Sequence, residues 1–227
     1  MQIDTVLWDW NGTLLDDVDA AVSGMNDLLS RYGKPPTSRQ EYREMIDIPV
    51  INYYRKLFDF EQTPFAELAS GFMEGYDRYI RSADLMRGAR KTLKFLHESG
   101  VRQIIVSSFH EATLHGYLRR FGIEDYFEAV SGAGDYISEG KIERARVLFK
   151  KLGICPDQTL SVGDMVHDYE LSQELGTQCI LIPNGQQSEE KLRMTGARIE
   201  KDLNAIFLLV RGRKGKPILT NSKEFAE

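Results

Sequence analysis

Cysteine is nearly absent: the 227 residues hold two, Cys155 and Cys179. Two thiols so placed build neither a disulfide framework nor a zinc site, and they read as small core residues or incidental thiols. Four histidines leave little scope for an imidazole-built metal centre. No apolar run approaches the roughly 20 residues that a membrane span needs. No N-terminal segment resembles a signal peptide, because Asp4 and Asp9 interrupt an apolar run of only about four residues. Positive charge is not in excess: 29 Lys and Arg face 34 Asp and Glu, for a net charge of −5. That balance argues against a nucleic-acid or membrane partner. The one basic cluster, Arg211 to Lys216, reads as part of a solvated tail over residues 211–227. There is no internal repeat and no low-complexity tract. A reduced, cytoplasmic, soluble protein is expected, monomer or homodimer, long enough to bury a real core.

What is present is a series of short apolar runs: "TVLW" from Thr5, "QIIV" from Gln103, "TLSV" from Thr159, "CILI" from Cys179, and a weaker "FEAVSG" from Phe127. They do not alternate, they are rich in β-branched residues, and helical patterns separate them. Such runs predict strands buried on both faces, hence a parallel sheet flanked by helices. Two of the helices are legible in detail. After Gly88, Ala89, Leu93 and Leu96 share a face, and the pattern ends at Gly100. After Gly140, Ile142, Ala145, Phe149 and Leu152 share a face, and it ends at Gly153. Between the first and second strands lie some 70 residues, far more than a crossover helix needs. They carry two apolar stripes, from Val18 to Tyr32 and from Phe65 to Ile80. The expected fold is α/β: a Rossmann-like parallel sheet core, residues 1–15 and 85–210, with an inserted all-helical cap over 16–84.

Open parallel sheets bind ligands outside the carboxyl ends of their strands. Here those ends carry Asp9, then Ser107 and Ser108, then Lys141 opening a helix, then Asp164 and Asp168. Several carboxylates share a pocket only if a cation neutralises them. Oxygen ligands with few histidines favour magnesium. A hydroxyl, a lysine and a helix N-terminus suit a phosphate. The reading is metal-assisted phosphate chemistry with Asp9 as nucleophile.

These motifs, in this order, resemble those of the haloacid dehalogenase superfamily of hydrolases. The first is "DWNGTL" at Asp9–Leu14, the second "IIVSS" with Ser107, the third Lys141, and the fourth Gly163-Asp164-Met165-Val166-His167-Asp168. The inserted helices fall where the phosphoglycolate phosphatase-like branch has its cap. The resemblance implies that Asp9 attacks a phosphoryl group of a small phosphorylated metabolite. It implies magnesium between Asp9, the backbone carbonyl of Asn11 and Asp164, with Asp168 a further ligand or an orienting group. Ser107 and Lys141 would bind phosphate, assisted by Ser108, His110 and the amides of Trp10–Gly12. The cap would close about hinges at Asp16–Asp17 and Leu85–Gly88.

The chain departs from that pattern at Asn11, where the family's phosphatases carry an aspartate that serves as general acid and base. An amide does not titrate, and such catalysis is typically worth about 10²–10⁴-fold. Three readings follow. Another group, His110 or His167, or a good leaving group, covers the loss in a phosphatase. Alternatively, the site resembles that of the phosphonoacetaldehyde hydrolases, whose Asp-Trp-Ala-Gly-Thr is similar to "DWNGT" and which use a cap lysine; Lys34 and Lys56 are the cap lysines here. In the third, the chain is a weakly active phosphate-binding sensor. The cap aromatics Tyr53, Tyr54, Phe58, Phe72 and Tyr76 read as core rather than as substrate contacts.

Overall fold

The computed structural model describes residues 3–134 and 140–211. Residues 212–227, nearly all of the expected tail, lie outside the described residues. Six parallel strands form one sheet in the order β5-β4-β1-β6-β7-β8. They are β1 (Thr5–Trp8), β4 (Arg102–His110), β5 (Ala129–Ala133), β6 (Thr159–Gly163), β7 (Gln178–Leu181) and β8 (Arg198–Ile199). All four residues of β1 are buried, because neighbours on both edges and helices on both faces leave it no wet side. The chain runs from β1 out to β4 and β5, then returns to β6 on the other side of β1. That reversal places the crevice of the sheet at the carboxyl ends of β1, β4 and β6.

The strand expectations hold at their positions, with one difference in extent. β4 does not stop at Ser107–Ser108; it continues to His110, with a register shift against β5 between Val106 and His110. The irregularity lets a buried serine and a polar rim occupy one strand. The helices α5 (Ala89–Glu98) and α7 (Lys141–Leu152) fall where their apolar spacing predicts. β8 is only two residues long, too short for any periodic signal.

The segment between β1 and α5 is helical: α1 (Val18–Arg31), α2 (Arg39–Met45), α3 (Ile51–Leu57) and α4 (Phe65–Tyr79). The α1 stripe buries Val18, Ala21, Met25, Leu28 and Leu29, while Tyr32 stands at the surface. α2 starts on a capping box, in which Ser38 and Glu41 satisfy each other's backbone N–H. The segment leaves and re-enters through a two-stranded antiparallel ribbon, β2 (Leu15–Asp16) with β3 (Asp84–Leu85). Among the described residues no helix is long and apolar enough to cross a membrane.

Candidate active site

β1 delivers its last buried side chain at Trp8, and Asp9 follows at the mouth of the crevice. The next residues turn back at once. The Trp10 carbonyl accepts from the N–H groups of Leu14 and Leu15, both at 2.9 Å. Gly12 sits at φ +75°, and a Cβ there would lie 2.3 Å from Asp164 Oδ2. Only glycine fits both the left-handed backbone and that approach.

The acids converge as expected. Asp9, Asp164 and Asp168 offer carboxylate oxygens that all lie within 4.8 Å of one another. Lys141, first residue of α7, donates from Nζ to Asp9 Oδ1 at 2.5 Å and to Asp168 Oδ1 at 2.7 Å. Lys141 and Asp168 are buried, and the Asp9 side chain is 13% exposed. Asp168 is held at its other oxygen by the N–H groups of Asp164 and Met165. Asp168 thereby ties the loop after β6 to the head of α7. Asp164 Oδ1 accepts from the Thr13 hydroxyl at 2.8 Å, and Oδ2 from the Gln186 N–H at 2.5 Å.

Three carboxylates against one lysine leave this pocket short of positive charge. Burial pushes the Asp9 carboxyl up to about 7; Lys141 pulls it down and Asp168 pushes it further up. Burial likewise holds Asp164 well above the usual carboxylate range, reinforced by Asp9 and Asp168. Burial would lower Lys141, but the Asp168 and Asp9 carboxylates overcome it and hold it above its ordinary value. The remedy for such a donor set is a hard divalent cation, and all-oxygen ligands fit magnesium.

Ser107 is buried on β4, the strand that pairs with β1, and its hydroxyl accepts from the Phe109 N–H at 3.0 Å, keeping its own proton to donate. Ser108 is exposed. His110 lies 3.3 Å from the Thr113 hydroxyl, and His167 is 3.3 Å from Glu170 on its own helix, α8 (Val166–Leu175). The Gly12 amide is not open to a phosphate, because it donates to the Leu15 carbonyl and to Asp17. Lys34 is exposed with its Nζ over the Phe58 ring, and the exposed Lys56 donates to the Met45 carbonyl. Trp10 is wholly buried against Phe121, so the tryptophan shared with the phosphonoacetaldehyde hydrolase motif is a packing residue here.

Asn11 has partners that the sequence did not disclose. Its Nδ2 donates to Asp17 Oδ2 and to the Tyr76 hydroxyl, both at 2.8 Å. Tyr76, from α4, donates in turn to Asp17 Oδ2 at 2.5 Å. Asp17 also accepts from the Gly12 N–H and from Gln186 Nε2. Asp17 is 1% exposed, and burial raises its carboxyl above the ordinary value. It is a fixed acceptor at the head of α1 rather than a free linker acid. Tyr76 packs its ring in the core as read, and its hydroxyl in addition reaches the loop after β1. Thr13, Asp17, Tyr76 and Gln186 were missed. Of these, only Thr13 stands inside a recognisable motif.

The family model of haloacid dehalogenase-like hydrolases matches residues 6–182. A phosphoglycolate phosphatase of Pseudomonas putida is 25% identical over 189 residues, spanning 79% of this chain and 69% of that protein. The pyrophosphatase PpaX of Halalkalibacterium halodurans is 24% identical over 195 residues, 85% of this chain and 89% of its own. Among solved structures, a haloacid dehalogenase-like family hydrolase from Streptococcus pneumoniae superposes with a TM-score of 0.80 at 17% identity, covering 91% of this chain and 98% of that one. At those identities the structural match establishes the fold. The chain belongs to the haloacid dehalogenase-like hydrolases.

Proposed function

We propose that this chain is a magnesium-dependent phosphatase that hydrolyses a small phosphorylated metabolite through a phosphoryl group carried on Asp9. The observation that carries this reading is the set of Asp9 with the buried Lys141, Asp164 and Asp168, gathered at the carboxyl ends of β1 and β6 and the head of α7. The phosphoglycolate phosphatase and pyrophosphatase relatives support the substrate class, and phosphoglycolate is the first compound to try. Free thiols at Cys155 and Cys179 agree with a reducing, cytoplasmic setting.

Asp9 and Asp164, with the Asn11 carbonyl, would hold the magnesium ion, and Asp168 would fix the loop after β6. The cation would neutralise the carboxylates and draw charge from the phosphoryl oxygens. Asp9 Oδ attacks phosphorus and the ester P–O bond breaks; Lys141 steadies the attacking carboxylate, and Ser107 donates to a phosphoryl oxygen. Water then attacks the phosphorus, inorganic phosphate leaves and the Asp9 carboxylate is restored. Asn11 contributes no proton to either step. The site therefore favours leaving groups that depart as anions, such as acyl phosphates, phosphoanhydrides and p-nitrophenol. Lys34 and Lys56 are engaged elsewhere, over the Phe58 ring and with the Met45 carbonyl, which speaks against the Schiff-base alternative, and no observation favours a sensor over an enzyme.

The test is phosphate release from phosphoglycolate, acetyl phosphate, pyrophosphate and p-nitrophenyl phosphate, with magnesium and with chelator. Acetyl phosphate should turn over faster than phosphoglycolate, and chelator should stop both. Turnover that is indifferent to chelator would sink the proposal.

A further inference from the structure

The segment after β7 touches the acid cluster on one side and α2 on the other. On the cluster side, the Gln186 N–H holds Asp164 Oδ2, Gln186 Nε2 holds Asp17 Oδ1, and Gln187 Oε1 accepts from the Val166 N–H at 2.7 Å. On the α2 side, one guanidinium collects three carbonyls of the same segment. Arg43 Nε donates to the Gly185 carbonyl at 2.8 Å, and Nη2 to the Pro183 carbonyl at 2.5 Å and the Gln187 carbonyl at 2.8 Å. Further bonds bind the two segments. The Ser188 N–H donates to the Arg43 carbonyl, while Gln187 Nε2 and Lys191 Nζ donate to the Ile46 carbonyl.

The Gly185 carbonyl and the Gln186 N–H are the two ends of one peptide unit. That unit is planar and rigid. Arg43 grips its oxygen and Asp164 accepts from its nitrogen. A charge-assisted bond on the carbonyl fixes the plane and polarises the N–H toward the carboxylate. The contact has no slack, since a Cβ at Gly185 would lie 2.1 Å from Asp164 Oδ2. A shift of this peptide shifts Asp164 with it, and Arg43 holds the peptide in place.

We infer that Arg43 is a positioning residue for the phosphotransfer site: through the Gly185–Gln186 peptide it sets the Asp164 carboxylate and ties its metal affinity to the docking of α2. The inference rests on the magnesium reading of Asp164 given above. Lysine is a poor substitute, because one ammonium cannot span three carbonyls in a fixed fork. The docking of α2 and the readiness of the metal site become one event, so an undocked α2 leaves a weakened metal site.

The experiment compares the full chain with Arg43→Ala, Arg43→Lys and Arg39→Ala. Arg39 lies on the same helix but pairs with Asp19, away from the segment. Magnesium affinity is measured by calorimetry without substrate, and exchange of the Gln186 amide is measured on the metal-free chain. Losing a group that orients a metal ligand typically costs about 10–100-fold in metal affinity. Arg43→Ala and Arg43→Lys should weaken magnesium binding in that range and speed Gln186 exchange, while Arg39→Ala leaves both unchanged. At saturating magnesium, KM for acetyl phosphate should stay at the wild-type value. Unchanged magnesium affinity in both Arg43 variants, with wild type binding and Asp164→Asn not, overturns this inference alone. A raised KM with unchanged magnesium affinity overturns it too, in favour of direct substrate contact. If wild type itself binds no magnesium, the metal reading falls and takes this inference with it.

Discussion

Replacing Asn11 with aspartate puts back the carboxyl that phosphatases of this family carry, yet the structure predicts that this change alone is costly. The Asn11 amide nitrogen lies 2.8 Å from Asp17 Oδ2, and Asp17 is buried. In Asn11→Asp a second carboxylate oxygen takes that place. Two unit charges at that separation repel by about 6 kcal/mol at an effective dielectric of about 20. Taking up one proton is cheaper at neutral pH. Holding a carboxyl protonated about three units above its ordinary value costs about 4 kcal/mol at pH 7, at about 1.4 kcal/mol per unit. The pair should therefore share a proton, and the variant should lose about 4 kcal/mol relative to wild type at pH 7. Because the folded pair binds a proton that the unfolded chain has released, that loss shrinks as pH falls toward 4 and grows with rising pH by about 1.4 kcal/mol per unit, until it levels off at the repulsion of about 6 kcal/mol. Asn11→Asp with Asp17→Asn restores one carboxylate and one amide in exchanged positions. The amide oxygen that Asp17→Asn introduces can still accept from Gly12 and Gln186. The double variant should regain most of the lost stability, giving a coupling of several kcal/mol in a double-mutant cycle. It should also hydrolyse phosphate esters about 10²–10⁴-fold faster than wild type, the ordinary worth of a general acid. Urea unfolding from pH 5 to 9 and phosphoglycolate turnover measure both. Strictly additive stabilities, or an Asn11→Asp loss that does not change with pH, would refute the pairing.

Lys141→Met should cost about 3–5 kcal/mol in urea unfolding of the metal-free chain, because it strands Asp9 and Asp168 buried without their cation; magnesium should recover part of that loss but not activity. Asp9, Asp164 and Asp17 all have carboxyls raised by burial. Their charged forms oppose folding, so metal-free stability should fall as pH climbs from about 4 through the Asp9 value of about 7. Magnesium should therefore raise the melting temperature more at pH 8 than at pH 5, and its affinity should weaken up to about tenfold per unit below pH 7; scanning calorimetry with and without the ion reads both. Tyr76→Phe removes the donor to Asp17 and the acceptor of Asn11 while leaving the ring packed, and should lower kcat with at most about 1–3 kcal/mol of stability lost.

The strands that build the site were legible because each is short, apolar and unalternating, and because functional polar residues stand directly at their ends. Lys141 was legible because Gly140 marks a helix start. Asp17 read as a linker acid since nothing in a run of acids says that the Gly12 turn folds it back beneath Asn11. Tyr76 sits on a helix stripe like any core aromatic, and only the partner of its hydroxyl sets it apart. Gln186 reaches the cluster from the polar segment after β7, Arg43 reaches that segment from α2, and neither lies in a periodic or motif-like context. β2, β3 and β8 are two residues each, below the length at which alternation can be seen.

The central claim is that Asp9 carries the phosphoryl group. Wild type and Asp9→Asn are mixed with magnesium and radiolabelled acetyl phosphate and quenched in acid within milliseconds, and the labelled peptide is mapped by mass spectrometry. One acid-stable, hydroxylamine-labile phosphoryl group is expected on Asp9 in wild type, absent without magnesium and absent in Asp9→Asn. Steady turnover by Asp9→Asn at the wild-type rate, or a label on another residue, would contradict it.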